Sequence, residues 1–396
     1  MEKHLVFFDD ASWEALRPLT LTRPVCELRV GILTLREKWL HYLSATSYSY
    51  ITRDYLNKRY PAVNSENTVI INGAVLPLPA LAGEIMKLEP GSALLAGDTL
   101  VALVPGKNGY EAFLNGDTGG YQIVKSVCEP RILKSPCDIF SFNAAEISGD
   151  FEILAKGKKS QPLSGTCTAN GKHPVFIEEG GRAECAVFNT NDGPVYIGRN
   201  AEVMEGCLVR GPFALCEDST LKMGAKIYGG TTIGPHCKVG GEVNNSVFFG
   251  YSNKAHDGFL GNSVIGEWVN IGADSNNSNL KNNYAPVKMW SYSKKRFTDT
   301  GLTFAGLIMG DHSKCSINTM FNTGTVVGVS CNLFGAGFHR NFIPSFTWGS
   351  PQGYTHFAFE KATEVAEIMM GRRGLELRSE EKEILLHLYS IKAEGI

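Results

Sequence analysis

Every sixth residue from Ile197 is aliphatic, the row running unbroken through Val203, Val209, Leu215, Leu221, Ile227, Ile233 and Val239. After a shift of two it restarts at Val247 and takes Asn253, Phe259, Ile265 and Ile271; a third row takes Met309, Cys315, Phe321, Val327 and Leu333. Neither the 3.6 period of a helix nor the 2.0 period of an ordinary strand gives this spacing, whereas short strands joined by tight corners do. One inward aliphatic residue per strand, with Gly, Asn or Asp at corners needing positive φ, winds a chain into a prism-like parallel β-helix. The stretch Lys254 to Asn283, crowded with glycine and asparagine around a lone His256, suits that backbone.

A stacked column has an axial core but little breadth, so a symmetric homo-oligomer, a trimer, is expected. Residues 280–305 interrupt the period with aromatics and lysines, and an excursion of that length from a regular coil is more often functional than decorative.

At 396 residues the chain is too long for one ordinary core. The pattern divides it into an α/β domain over 1–155, a linker and entry over 156–189, the β-helix over 190–345 and a helical tail over 346–396. In the first domain, HLVFFDD (4–10) predicts a strand, an amphipathic helix spans about 28–43, and TVIINGAVLP (68–77) predicts a second buried strand of a parallel sheet. Lys+Arg and Asp+Glu number 38 and 40, a net charge of −2, which supplies no global field for nucleic acid or an anionic membrane. Local basic groups must therefore hold any anionic ligand. Ten scattered cysteines without C-x-x-C pairs, no signal-like apolar core and no run of 18 apolar residues predict a cytoplasmic protein that neither enters nor crosses a membrane.

The segments GPHCKVGGEVNN (234–245), SNKAHDGFLG (252–261) and IGEWVNIGADSNNSN (265–279) resemble the left-handed β-helix acyltransferases. They are most similar to the acetyltransferase half of the bifunctional N-acetylglucosamine-1-phosphate uridyltransferase/glucosamine-1-phosphate acetyltransferase family. The resemblance covers about 190–345 and implies a catalytic set of His256, Glu242 and Asn270, with Asn279 and Lys254 at the substrate. Lys226 stands where the family has arginine. Departures fall at Asn244, Phe259 and Ala285, which replace a basic residue, a tyrosine and a lysine; Lys281 or Lys288 could supply the last cation.

An amino sugar is mostly ammonium at neutral pH and must lose a proton before attacking a thioester, work suited to a base of pKa near 7. The resemblance gives that role to His256. Glu242 would orient it, and N–H groups near Gly272 and Ala273 or the Asn270 amide would hold the oxyanion. Glu242, His256 and Asn279 are expected in one cleft. A different reading takes His236, His256, His312 and His339 as zinc ligands across subunit interfaces, although no two have close ligand spacing.

In the first half, PLT-x-TRP-x-x-x-LR-x-G…EKW resembles an alternative branch of sugar nucleotidyltransferase-like domains. DDASWEA (9–15) stands where the common branch has its Gly-rich loop, with Ala15 and Val25 at its Arg and Lys positions. The resemblance implies phosphate binding by Arg17, Arg23, Arg29 and Lys38, and Mg²⁺ with Asp98 or Asp138 as ligand. It thus implies a cytoplasmic enzyme of amino-sugar nucleotide and cell-envelope synthesis. Acetyl-CoA and glucosamine-1-phosphate would be joined first, and the product would then react with UTP to give UDP-N-acetylglucosamine. Two other readings stay open. One keeps a single activity, either acyl transfer with a non-catalytic N-terminal domain or nucleotidyl transfer with another pair such as dTTP and glucose-1-phosphate. The other is a non-enzymatic oligomeric scaffold.

Overall fold

The computed structural model describes residues 3–65, 67–117 and 119–392. Two compact units divide the chain: Met1–Leu16, Thr22–Leu28 and Leu33–Ser135 form the N-terminal unit, and Arg17–Leu21, Arg29–Ile32 and Pro136–Ile396 form the β-helix unit.

The N-terminal unit is built on a six-stranded sheet. Its strands are β1 (His4–Phe8), β2 (Ser47–Ile51), β3 (Thr68–Asn72), β4 (Ser92–Ala96), β5 (Thr99–Val104) and β6 (Gln122–Lys125), in the order β2-β1-β3-β5-β4-β6. β1 runs parallel to β2 and β3, as the apolar runs predict, but β5 is antiparallel to both β3 and β4, so the sheet is mixed. Helices α1 (Ser12–Ala15), α2 (Leu35–Tyr42), α3 (Pro79–Ile85) and α4 (Gly109–Leu114) accompany it.

α2 is shorter than the predicted 28–43. Thr34 and Glu37 close a reciprocal capping box at its start, which fixes the entry point. The preceding Arg29–Ile32 belongs to the other unit, where Gly31 takes φ +83 and its N–H donates to Asn143 Oδ1 at 2.7 Å. A Cβ on Gly31 would lie 2.4 Å from Asp150 Oδ2, so only glycine fits.

The β-helix unit is a left-handed parallel β-helix. Successive short strands visit three faces in turn, giving sheets of six, nine and ten strands that are parallel except where the last strand of the ten, Gly353–His356, turns back antiparallel on Thr347–Ser350. The first coil begins at Thr168–Asn170, earlier than the predicted 190, because this strand is exposed and polar and carries no aliphatic signal. The first aliphatic row points inward throughout, and Ile197, Val203, Val209, Leu215, Leu221, Ile227, Ile233 and Val239 all lie in one axial core. The second row is corrected by one residue over its first half. Gly240 and Gly241 make a tight corner, Val243 follows Val239 after four residues, and the inward positions become Phe248, Lys254 and Leu260 rather than Val247, Asn253 and Phe259. Ile265 and Ile271 are inward as predicted, and the third row from Met309 to Leu333 is inward throughout.

Helix α5 (Pro136–Ala155) lies in this unit, where Ile147 and Phe151 pack with Ile32, Phe176, Tyr196 and Ala214. The tail forms α6 (Phe359–Gly371) and α7 (Ser379–Lys392).

The corner between the second and third faces departs from expectation. Its positive-φ positions include His236, Tyr251, Trp268 and His312 rather than only small polar residues. Their rings stack in a ladder with centroids 4.6, 4.4 and 6.3 Å apart. A left-handed conformation costs a residue with a Cβ about 1–2 kcal/mol, and ring stacking of about 0.5–1.5 kcal/mol per pair offsets much of it.

Candidate active site

His256 lies at the corner between the third and first faces, after the strand Asn253–Lys254 and before Phe259–Gly261. Two features fix this corner from within. Gly240 lies against it so closely that a Cβ would stand 2.6 Å from the Ala255 carbonyl oxygen. Lys254 fills an inward position opposite Val239, is 1 % exposed, and donates from Nζ to the carbonyls of His256 at 2.8 Å and Gly240 at 3.0 Å. Burial draws its ammonium down to about 8. An aliphatic side chain would fit the core here without that cost, so the lysine is spent on holding two turn carbonyls.

The corner opens on a cavity of about 620 Å³ lined by Met204, Lys222, Met223, Gly241, Ala255, His256, Asp257, Ala273 and Asp274. These residues are the same corner repeated down successive coils, and the Asp274 N–H donates to the Asp257 carbonyl at 2.9 Å. His256 and Asp257 are exposed, and the imidazole makes no hydrogen bond among the described residues. The site therefore combines an unemployed imidazole, one lysine, Lys222, the two carboxylates of Asp257 and Asp274, and two methionines. It can accept a proton at the imidazole, and it offers both a cationic and an anionic side to a substrate.

Of the residues singled out from sequence, the cavity gathers His256 and Ala273. Glu242 lies on the first face between Lys226 and Phe259, and is neither a lining residue nor hydrogen-bonded to His256. Asn270 is paired with Asn253 and Lys314 on the third face. Asn279 sits beyond the other end of the first face, donating to Asn262 Oδ1 at 2.8 Å, so within one chain the three expected cleft residues do not share this cavity. Gly272 packs on the backbone of Ser316 and Ile317, where a Cβ would come within 2.3–2.4 Å. Lys281 donates to the Pro286 carbonyl in its own loop, and Lys288 starts a hairpin strand. Lys254 supports the corner instead of facing a substrate.

Sequence reasoning missed Met204, Lys222, Met223, Asp257 and Asp274. The signal was available: Met204 and Lys222 are separated by three hexads, one full coil, which marks a shared corner.

In the N-terminal unit the end of β1 is occupied by its own carboxylates. Asp10 accepts from the backbone N–H and the hydroxyl of Ser12 and from Asn72 Nδ2 at 2.9 Å. Asp9 accepts from the Val25 N–H at 2.9 Å and from Thr52 Oγ1 at 2.5 Å, and desolvation pushes its carboxyl up to about 7. The turn that could offer N–H groups to a phosphate thus gives that of Ser12 to Asp10, and its other acid, Asp9, takes the Val25 N–H. Arg23 and Lys38 are buried in this unit. Arg17 and Arg29 belong to the other, where Arg29 donates to the carbonyls of Phe249, at 3.3 Å, and Ile32. Asp98 is exposed at the β4–β5 turn and Asp138 lies in the first turn of α5. Among the described residues no three His, Cys, Asp or Glu converge as metal ligands, so neither the Mg²⁺ nor the zinc reading gains a ligand set within one chain.

Residues 5–159 match the sugar nucleotidyl transferase family. The chain is similar to GlmU. The bifunctional protein GlmU of Methanocaldococcus jannaschii is 34% identical over 90 residues, which is 23% of this chain and 21% of the relative. That of Synechococcus elongatus is 25% identical over 164 residues, or 39% and 32%. The matched stretches thus span a fifth to a third of these relatives. Among solved structures, the polySia-specific acetyltransferase NeuO covers 48% of this chain and 84% of its own at 13% identity and TM-score 0.18. The Arabidopsis UDP-N-acetylglucosamine acyltransferase covers 59% and 93% at 14% identity and TM-score 0.17.

Proposed function

We propose that the chain is a transferase of amino-sugar nucleotide synthesis whose β-helix moves an acetyl group from acetyl-CoA to the amine of glucosamine-1-phosphate. The observation that carries this reading is the exposed, unbonded imidazole of His256 on a backbone corner pinned by Lys254. His256 takes the ammonium proton, the freed amine attacks the thioester carbonyl, and the coenzyme leaves as the thiol. Lys222 attracts the sugar phosphate, and Met204 and Met223 shelter the acyl chain. Glu242, Asn270 and Asn279 lie outside this cavity within one chain, and would act on a substrate at His256 only where a second copy packed against the column brings its own side chains there. Val187 and Leu208, adjacent and exposed on the first face, support lateral association into a homotrimer. Ten cysteines, none in a disulfide among the described residues, support a reducing, cytoplasmic setting.

For the N-terminal unit, the family match supports transfer of a uridylyl group from UTP to the acetylated sugar phosphate, with Mg²⁺. A second reading is favoured by the carboxylates that fill the first turn: a domain that holds a sugar phosphate or nucleotide without catalysis.

Two assays on the full chain separate these. Acetyl transfer to glucosamine-1-phosphate should fall at least ~10²-fold in His256→Ala with the melting curve unchanged; full activity in that variant removes the assigned role. Pyrophosphate release from UTP, dTTP and GTP across several sugar-1-phosphates should be seen with one pair if the N-terminal unit is catalytic, and with none if it is not. A scaffold without activity would give neither signal.

A further inference from the structure

Where the hexad period breaks, the chain builds a second cavity. Strands Lys288–Ser291 and Arg296–Asp299 pair as an antiparallel hairpin, with Trp290 opposite Phe297. Its seat on the last coils is fixed. Trp290 lies flat on Phe342 with centroids 4.3 Å apart, and Tyr292 meets the same ring edge-on at 5.5 Å. Gly324, at φ +68, admits the hairpin backbone so closely that a Cβ would stand 2.6 Å from the Lys288 carbonyl oxygen.

A cavity of about 580 Å³ opens beside the hairpin. That volume falls within the roughly 300–1,000 Å³ of small-molecule sites. Trp290, Tyr292, Phe342 and Tyr354 supply aromatic surface, Lys295, Arg340 and His356 supply basic groups, and none of the lining residues is acidic. The three basic residues are exposed and have no carboxylate partner among the described residues. The Arg340 guanidinium rests over the Tyr354 ring at 5.5 Å, and the Tyr354 hydroxyl is bonded to His339 Nδ1 at 2.9 Å, which steadies that wall. This cavity shares no residue with the one at His256.

Uncompensated cations against aromatic walls favour an anion, and flat aromatic faces favour a planar ring. We propose that this cavity binds a phosphorylated planar ring, the chemistry of a nucleoside phosphate. The aromatic walls take the ring, and Lys295, Arg340 and His356 take the phosphate. Two sources carry that chemistry: a free nucleotide, and the adenosine phosphate end of a thioester cofactor.

The test is calorimetric titration of the full chain with uridine 5′-diphosphate, adenosine 3′,5′-bisphosphate, uridine and ribose 5-phosphate. One of the two nucleotides should bind saturably, with uridine and ribose 5-phosphate at least about tenfold weaker because each lacks half of the recognised chemistry. Tighter binding of the uridine compound assigns a free nucleotide, and tighter binding of the adenosine compound assigns the cofactor end. Arg340→Ala and Lys295→Ala, both surface changes, should each weaken binding about tenfold, while His256→Ala leaves it unchanged. The proposal is overturned by the absence of saturable binding at millimolar nucleotide, by affinity that survives the Lys295→Ala/Arg340→Ala double variant, or by ribose 5-phosphate binding as tightly as the nucleotides. Acetyl transfer read separately in the same variants keeps failure of this site distinct from failure of the His256 reading.

Discussion

The end of β1 and the corner after Lys254 are both points where a strand stops and a ligand could enter, but they are built in opposite ways. At β1, Asp9 and Asp10 fold back onto the N–H groups of Val25 and Ser12, so polar side chains and polar backbone satisfy one another. At Lys254 the polar side chain is inside, where it takes the carbonyls of Gly240 and His256, and the residues pointing outward are left unemployed. The lesson is that a corner held from within can offer its outer side chains to a ligand, whereas a turn held by its own outer side chains has little left to offer. The first arrangement spends stability on a buried cation; the second spends binding capacity.

Three substitutions would break or sharpen this contrast. The largest effect is expected at the corner glycines. Gly241 has φ +72, and a Cβ there would meet the Asp257 Cα and the His256 carbonyl oxygen at 2.9 Å. Gly241→Ala should therefore lose about 2 kcal/mol or more by denaturant unfolding, from strain and overpacking together. An unchanged midpoint would mean that the coils do not need this approach.

Next is Lys254→Met. The folded Lys254 titrates near 8 against about 10.4 in an unfolded chain, so between those values the unfolded state holds the extra proton. Stability therefore rises with pH through that window, and below pH 8 the full desolvation penalty remains. The methionine variant should lose that slope and be as stable as the parent or more so below pH 8, yet its acetyl-transfer kcat should drop about tenfold with KM little changed. That pattern marks a positioning residue; a parallel loss of stability and activity would make the lysine merely structural.

The smallest effect is expected for Asp9→Asn. With its carboxyl pushed up to about 7 against about 3.9 when unfolded, the folded state holds a proton that the unfolded chain has given up, so stability falls as pH rises between those values. The asparagine variant should melt a few degrees higher than the parent above pH 7, with the difference fading toward pH 4. A constant offset across that range would show that the carboxyl does not titrate there.

The β-helix was legible in the sequence because a repeating coil writes its geometry into spacing. One inward side chain per short strand must be apolar, and eight in a row from Ile197 leave few alternative folds. The frame was less legible around Gly240 and Gly241, where a tight corner moved the inward position from Asn253 to Lys254. A lysine in an apolar row reads as an outward residue unless its carbonyl partners are known. The aromatic ladder at the second corner was hidden for a similar reason: Tyr251 and Trp268 take positive φ against their own preference, and ring stacking between residues a full coil apart holds them there.

The sequence alone thus determined the three-faced column and the place of its excursion at 280–305, because these follow from local periodicity, while the candidacy of His256 came from the family resemblance of the segments around it. Which residues meet His256 was decided only in three dimensions. Met204, Lys222 and Ala273 reach its cavity through coil stacking, Asn279 ends at another corner, and Arg29 turns to backbone carbonyls. Such pairings depend on the length of each intervening corner, where one residue more or less redirects a side chain to another face.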